Sequence, residues 1–233
     1  QKRGIRLALC ARWGMIALLA IVLLVAAGDE RPFLSAFSPI SASGRRNVPD
    51  PGQLNRDILG GTIQFEHLSL EDGLSQNSVY CILQDHQGFL WFGTQDGLNR
   101  YDGYGVTVYR PRPGDPNSLS HHFIRALYED EQGGLWIGTD GGGLNRLDLQ
   151  TGRIVRYEHD PTDPSTVSGN RVFALYGDRE GRLWIGTENG LDRFDPATAG
   201  FVRFRHGPDP GSLTPGPIRA IYQDRTGMLW IGS

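Results

Sequence analysis

Two cysteines in 233 residues leave little to build with. Cys10 lies near the amino terminus and Cys81 is the only other one, so the chain beyond residue 28 has no internal disulfide partner and no thiol site. Cys81 stands in the apolar run from Val79 to Leu83 and reads as a small buried hydrophobe. Charge of one sign is also lacking: 23 basic against 26 acidic residues leave −3, a balance that offers no nucleic-acid reading. At 39% hydrophobic and 21% charged, the composition excludes a disordered or collagen-like chain, and a single long apolar run excludes a polytopic membrane protein. Catalytic machinery is missing too. No Ser or Cys nucleophile stands beside a local base, and the glycine-rich stretch Gly141 to Gly143 belongs to a turn, so it is no phosphate loop.

The basic residues that exist are unevenly placed. Lys2, Arg3, Arg6 and Arg12 put +4 into the first dozen positions, leaving −7 for residues 13–233. They run into Trp13 to Ala27 (WGMIALLAIVLLVAA), fifteen uncharged residues ending in the small residues Ala26 and Ala27. That order fits a secretory signal cleaved after Ala27, or an uncleaved anchor whose basic end stays in the cytoplasm. Either reading makes residues 1–28 a signal peptide or membrane-anchor helix and exports the rest of the chain. Residues 29–60 carry Pro32, Pro39, Pro49 and Pro51 among Ser, Gly and Arg, and read as a linker.

Glycine is the residue in excess: 32 of 233, about 14%, roughly twice the usual share. Its positions repeat. Trp91, Trp136, Trp184 and Trp230 are spaced by 45, 48 and 46 residues, each inside one phrase: GFLWFGT from Gly88, GLWIGT from Gly134, GRLWIGT from Gly181 and GMLWIGS from Gly227. A period in the forties is the first property to explain. In the first repeat, Val79–Gln84 suits a strand buried on both faces, Asp85 to Gly88 a turn, and Leu90–Thr94, Leu98–Tyr101 and Val106–Tyr109 three returning strands. Ile124–Tyr128, Val172–Tyr176 and Ile218–Tyr222 are the first strands of the later repeats. Four short strands in about 45 residues make one β-propeller blade, so the fold class is all-β, a propeller of four-stranded antiparallel blades.

The parse places a partial propeller at residues 61–233, with blades at about 77–111, 122–159 and 170–206 and a partial blade at 216–233. Thr62 to Phe65 (TIQF) has the form of a fourth strand with no blade of its own. It suggests a closing "velcro" strand over 62–68 that would complete the last blade. That last blade is outside the chain, which reads as a fragment of a longer polypeptide. Asp85, Asp130, Asp178 and Asp224 open the turns, where an Asp side chain accepts backbone N–H groups; they lack the further oxygens of a calcium loop. The four tryptophans fill the wedges between sheets.

The repeated phrase, Asp-x-x-Gly-x-Leu-Trp-Ile-Gly-Thr followed by Gly-Leu-x-Arg and an apolar residue then Asp, resembles the two-component regulator propeller repeat. Leu135 to Asp148 and Leu183 to Asp195 carry it, with Phe92 in place of Ile in the first repeat. The resemblance implies the periplasmic ligand-sensing segment of a bacterial membrane signalling protein: an export signal, one or two propellers, a small β-sandwich, a transmembrane helix, then a histidine kinase or diguanylate cyclase. The output domain would lie outside this segment, the segment itself would not be an enzyme, and the full-length protein is expected to be a homodimer anchored in the inner membrane.

A site on a pseudo-symmetric ring has to break the symmetry. Asn77, His121, His122, Asn170 and Arg171, just before the innermost strands, are therefore the ligand-binding candidates for a small molecule or oligosaccharide. The His121–His122 pair lacks a third ligand at metal spacing, so no metal is expected. Quinone-dependent propellers also repeat Trp, but their Ala-x-Asp-x-x-Thr-Gly-x-x-x-Trp pattern is absent and no cofactor is expected. Two other readings compete: a secreted carbohydrate-active propeller enzyme, lyase or hydrolase, and an intracellular protein-binding scaffold, which conflicts with the export signal.

Overall fold

Alternating apolar residues punctuated by Asp-x-x-Gly and Gly turns produce fourteen short strands and one 3₁₀ turn, Leu70–Asp72, in the computed structural model, which describes residues 65–209 and 211–233. The strands are β1 (Val79–Gln84), β2 (Leu90–Thr94), β3 (Gly97–Tyr101), β4 (Val106–Tyr109), β5 (Ile124–Glu129), β6 (Gly134–Thr139), β7 (Leu144–Asp148), β8 (Ile154–Tyr157), β9 (Val172–Gly177), β10 (Leu183–Thr187), β11 (Gly190–Asp195), β12 (Gly200–Phe204), β13 (Ala220–Gln223) and β14 (Leu229–Gly232). Each of β1 to β4, β5 to β8 and β9 to β12 forms a four-stranded antiparallel meander in chain order, and β13 pairs with β14 alone. Three four-stranded blades and the first two strands of a fourth are thus formed among the described residues. The signal or anchor segment, the linker and Thr62 to Gln64 lie outside the described residues. Of the expected closing strand only residues 65–68 are described, and they carry no strand.

The first strands of successive sheets, β1, β5, β9 and β13, run side by side and are the innermost. What brings them together is the glycine after each Trp-Φ pair. A methyl group on Gly93 would sit 2.8 Å from Ile124 Cγ2, on Gly138 2.6 Å from Val172 Cγ1, and on Gly186 2.6 Å from the Ile218 carbonyl oxygen. Only a residue without a side chain lets the next blade approach so closely.

Trp91, Trp136 and Trp184 are each buried by the blade that comes after. Trp91 packs with Leu119 of the connecting loop and with Ile124, Leu135, Ile137, Leu147 and Ile154 of the second blade. Trp136 packs with Val172, Leu183, Ile185 and Phe201 of the third, and Trp184 with Ile218, Leu229 and Ile231 of the fourth repeat. The indole N–H then needs an acceptor. In all four repeats it is the turn aspartate six residues earlier: Trp91 to Asp85 at 2.8 Å, Trp136 to Asp130 at 2.7 Å, Trp184 to Asp178 at 2.8 Å and Trp230 to Asp224 at 2.8 Å. The other carboxylate oxygen takes two turn N–H groups, as Asp130 Oδ1 does from Gln132 and Gly134. One side chain thus closes the turn and satisfies the buried indole. The closing glycines Gly88, Gly133, Gly181 and Gly227 all have positive φ, between 74° and 93°.

Two strand expectations need correction. Val79–Gln84 is half-buried, with Ile82 50% exposed, because no blade precedes it among the described residues. The fourth first strand begins at Ala220 and not at Ile218, whose N–H donates instead across the blade junction to the Thr187 carbonyl at 2.9 Å.

Candidate functional site

At the end of the blades where each first strand begins, the ladder between the first two strands is interrupted at one register position. Pairing skips from Val79 to Cys81, from Ile124 to Ala126 and from Val172 to Ala174. Tyr80, Arg125 and Phe173 are the extra residues of these three β-bulges, and Arg219 holds the same place in the fourth repeat. A bulge turns its extra side chain out of the pleat, a common device at the rims of closed β structures. The same end carries the turns after the second strands, which present Gln95, Asp140 and Glu188 at equivalent positions, and the loops that join one blade to the next.

Asp140 is the centre of the polar part. Its side chain is 10% exposed and takes Arg125 NH2 on one oxygen at 2.7 Å and Arg171 Nε on the other at 2.6 Å. Burial works to raise its pKa, but the two guanidinium groups outweigh it and hold the carboxyl below the usual range. Glu188 lies 3.8 Å from Arg171, and its backbone N–H donates to the Arg171 carbonyl. Arg125 keeps one buried N–H, on Nε, without a partner.

The five residues singled out from the sequence divide here. Arg171 joins the Asp140 cluster. His121 lies against Gly141 and Gly142 of the same turn, stacked on His122 with ring centroids 4.3 Å apart, and its Nδ1 accepts the Phe123 N–H at 3.1 Å. Burial first, then the neighbouring His122, lowers the His121 pKa. His122 and Asn170 stitch blades together through their carbonyls, which accept from Gly97 at 2.7 Å and from Gly141 and Gly143 at 2.9 and 2.8 Å. Asn170 Oδ1 also accepts the His159 N–H at 2.8 Å. Asn77 stands apart, its Oδ1 accepting from Leu70 N at 3.2 Å. Among the described residues no group of three His, Cys, Asp or Glu side chains has the arrangement of a metal site.

Sequence reasoning missed the bulge residues, and it also missed what holds the connecting loops. Arg156 of β8 donates to the carbonyls of Asp115 at 2.7 Å and Ser118 at 2.8 Å, and Arg203 of β12 does the same for Asp163 and Thr166, both at 2.9 Å. Leu119 and Val167 are buried beneath these loops. The signal was present as an Arg at the same place in two fourth strands; the first blade has Val108 there. At the opposite end of the strands a cleft of about 40 Å³ lies beneath Trp91, lined by Asp85, Arg100, Tyr109 and Leu147, and His86 pairs with Glu129 across the first junction. It has room for little more than water.

Among the described residues no helix is long and apolar enough to cross a membrane. The extracellular domain of a hybrid two-component system of B. thetaiotaomicron is similar over 72% of this chain and 23% of its own length, at 31% identity and a TM-score of 0.67. A second such domain from the same organism matches over 70% of this chain and 21% of its own, at 28% identity and a TM-score of 0.57. A protein named histidine kinase P4, from Formosa agariphila, is 50% identical over 56 residues, which are 24% of this chain and 4% of that protein. The chain thus spans less than a quarter of each of these relatives. Its four segments 73–96, 118–141, 166–189 and 212–233 match the family model for the two component regulator propeller. With the Trp–Asp pair, the close-approach glycines and the four-stranded meander recurring in register, the repeat region of this chain belongs to the two-component regulator propeller family.

Proposed function

We propose that this segment is the extracytoplasmic recognition module of a membrane-bound bacterial signalling protein, whose output domain, a histidine kinase or a diguanylate cyclase, lies elsewhere in the polypeptide. The observation that carries this reading is the likeness to the extracellular domains of two hybrid two-component systems, at 31% and 28% identity. The basic, then apolar, amino-terminal order supports export, as a cleaved signal or as an anchor. On this reading the blades are a rigid frame and the ligand, a small molecule or oligosaccharide, meets the rim built from the bulges and connecting loops. Binding biases a two-state arrangement of the dimer that the output domain reads.

Two measurements test this, the first on a fusion and the second on the full-length protein. Alkaline phosphatase fused after Ser233 is expected to be active in cells, because that enzyme works only outside the cytoplasm; an inactive fusion overturns the location. Calorimetric titration with a panel of oligosaccharides is expected to give binding heat with no cleavage products. Products would make the protein a carbohydrate-active enzyme.

A further inference from the structure

The three bulges and the equivalent position in the fourth repeat carry Tyr80, Arg125, Phe173 and Arg219, aromatic and arginine in alternation. A purely architectural device repeats unchanged from blade to blade, as the Trp–Asp pair does. This position shares its backbone geometry and varies its chemistry. Around Phe173 three guanidinium groups converge: the Cζ atoms of Arg219, Arg125 and Arg171 lie 4.9, 5.4 and 5.9 Å from its ring centroid. Arg125 also lies over Phe123 at 4.5 Å and within 5.9 Å of Tyr80. Three cations so close together repel one another unless anions are supplied. The protein supplies Asp140, shared by Arg125 and Arg171, and Glu188 at the longer distance from Arg171. Arg219 is exposed and forms no ion pair among the described residues, and the Arg171 side chain is 55% exposed. Arg125 Nε adds a donor that nothing accepts from.

We propose that this arginine–aromatic rim is an anion-recognition site, in which Arg219 and the free edge of Arg171 grip a carboxylate, sulfate or phosphate group on the ligand. Guanidinium groups meet such oxyanions with paired, planar N–H donors, and the flanking rings keep those donors oriented and partly desolvated. Asp140 is a positioning residue: it holds Arg125 by one terminal nitrogen and Arg171 by Nε, which fixes the Nε edge of Arg171. The proposal rests on reading the segment as a recognition module and deepens that reading by naming the chemical class of its ligand.

The test is titration calorimetry on the full-length protein with digalacturonate, inorganic sulfate and inorganic phosphate as separate probes and neutral digalactose as control, in wild type and in Arg219→Gln. At least one oxyanion is expected to bind, and to bind at least about tenfold more weakly to the variant. The same probe is expected to weaken as salt rises. Because Arg219 is exposed and unpaired, the variant should melt at the wild-type temperature without probe. A second variant, Arg171→Gln, covers the outcome in which it does not. The three probes distinguish the source of the oxyanion. Failure of all three to bind, equal affinity for digalactose, or binding indifferent to both substitutions would overturn the site and leave the recognition reading standing. Cleavage of digalacturonate would overturn the recognition reading instead.

Discussion

Trp184 and Trp230 occupy the same place in consecutive repeats and make the same 2.8 Å hydrogen bond to their turn aspartates, yet one is 9% exposed and the other 61%. The difference separates two layers of organisation. The Asp–Trp bond belongs to one hairpin and forms wherever the hairpin does. Burial of the indole belongs to a junction and needs the next blade. The glycines say the same: Gly93, Gly138 and Gly186 are pressed by the following first strand, while a methyl group on Gly232 would meet nothing nearer than Ala220 Cβ at 3.2 Å.

Cutting the side chain at a filled junction should give the largest effect. Trp136→Ala is expected to cost about 3–5 kcal/mol and Trp230→Ala less than about 1 kcal/mol in the 233-residue chain, read from urea midpoints. Equal losses would mean that the indole's main work is inside its own hairpin. Next comes the close approach. Gly138→Ala should destabilise by about 1–3 kcal/mol, because its methyl group overlaps Val172. Gly232→Ala should leave stability level or slightly raised, since alanine loses less backbone entropy than glycine on folding. If both substitutions cost the same, crowding between blades is not what selects glycine.

A smaller contrast lies in the third strands of the three blades. Asn99 and Asn145 are buried and accept the backbone N–H groups of Ser75 at 2.8 Å and Ser120 at 3.0 Å while donating to the same serines' hydroxyls. The third blade has Asp192, which accepts from Ser168 N at 2.7 Å but leaves Oδ1 buried and unpaired. Burial raises its pKa above the unfolded value, against the pull of the Ser168 bonds. The folded state therefore holds that proton more tightly, so its contribution is full below the unfolded pKa and is lost as pH rises through the folded one. Asp192→Asn should remove that loss and stabilise the neutral-pH protein by about 1 kcal/mol. Melting curves at acid and neutral pH check it: the gain should appear only on the neutral side.

The blade architecture was legible because its determinants recur. Four copies of Gly-x-Leu-Trp-x-Gly, three of them with Ile after the Trp, and of the turn aspartate make a pattern that no single copy would, and the second, third and fourth strands begin within a residue of where those phrases place them. The buried character expected of Val79–Gln84 was not legible, because an apolar run is silent about whether a neighbour covers it. The rim was half legible. Arg171 and His121 stand out as departures from the repeat, and both reach the Asp140 turn. Arg125 and Phe173 do not stand out, because they lie inside runs that read as ordinary strand, and only the interrupted ladder reveals that their side chains leave the pleat. The arginines of β8 and β12 were visible in two repeats, but what they grip is set by a loop some forty residues away.

Because an indole is covered only by the blade after it, the propeller has a head and a tail. Adding a repeat hides one tryptophan and presents another, so the tally of uncovered indoles stays at one however many blades are strung together. Only circularisation takes that tally to zero. Such an array has no natural stopping length in its nearest-neighbour contacts; completion is a topological event, and tryptophan emission is the spectroscopic gauge that registers it.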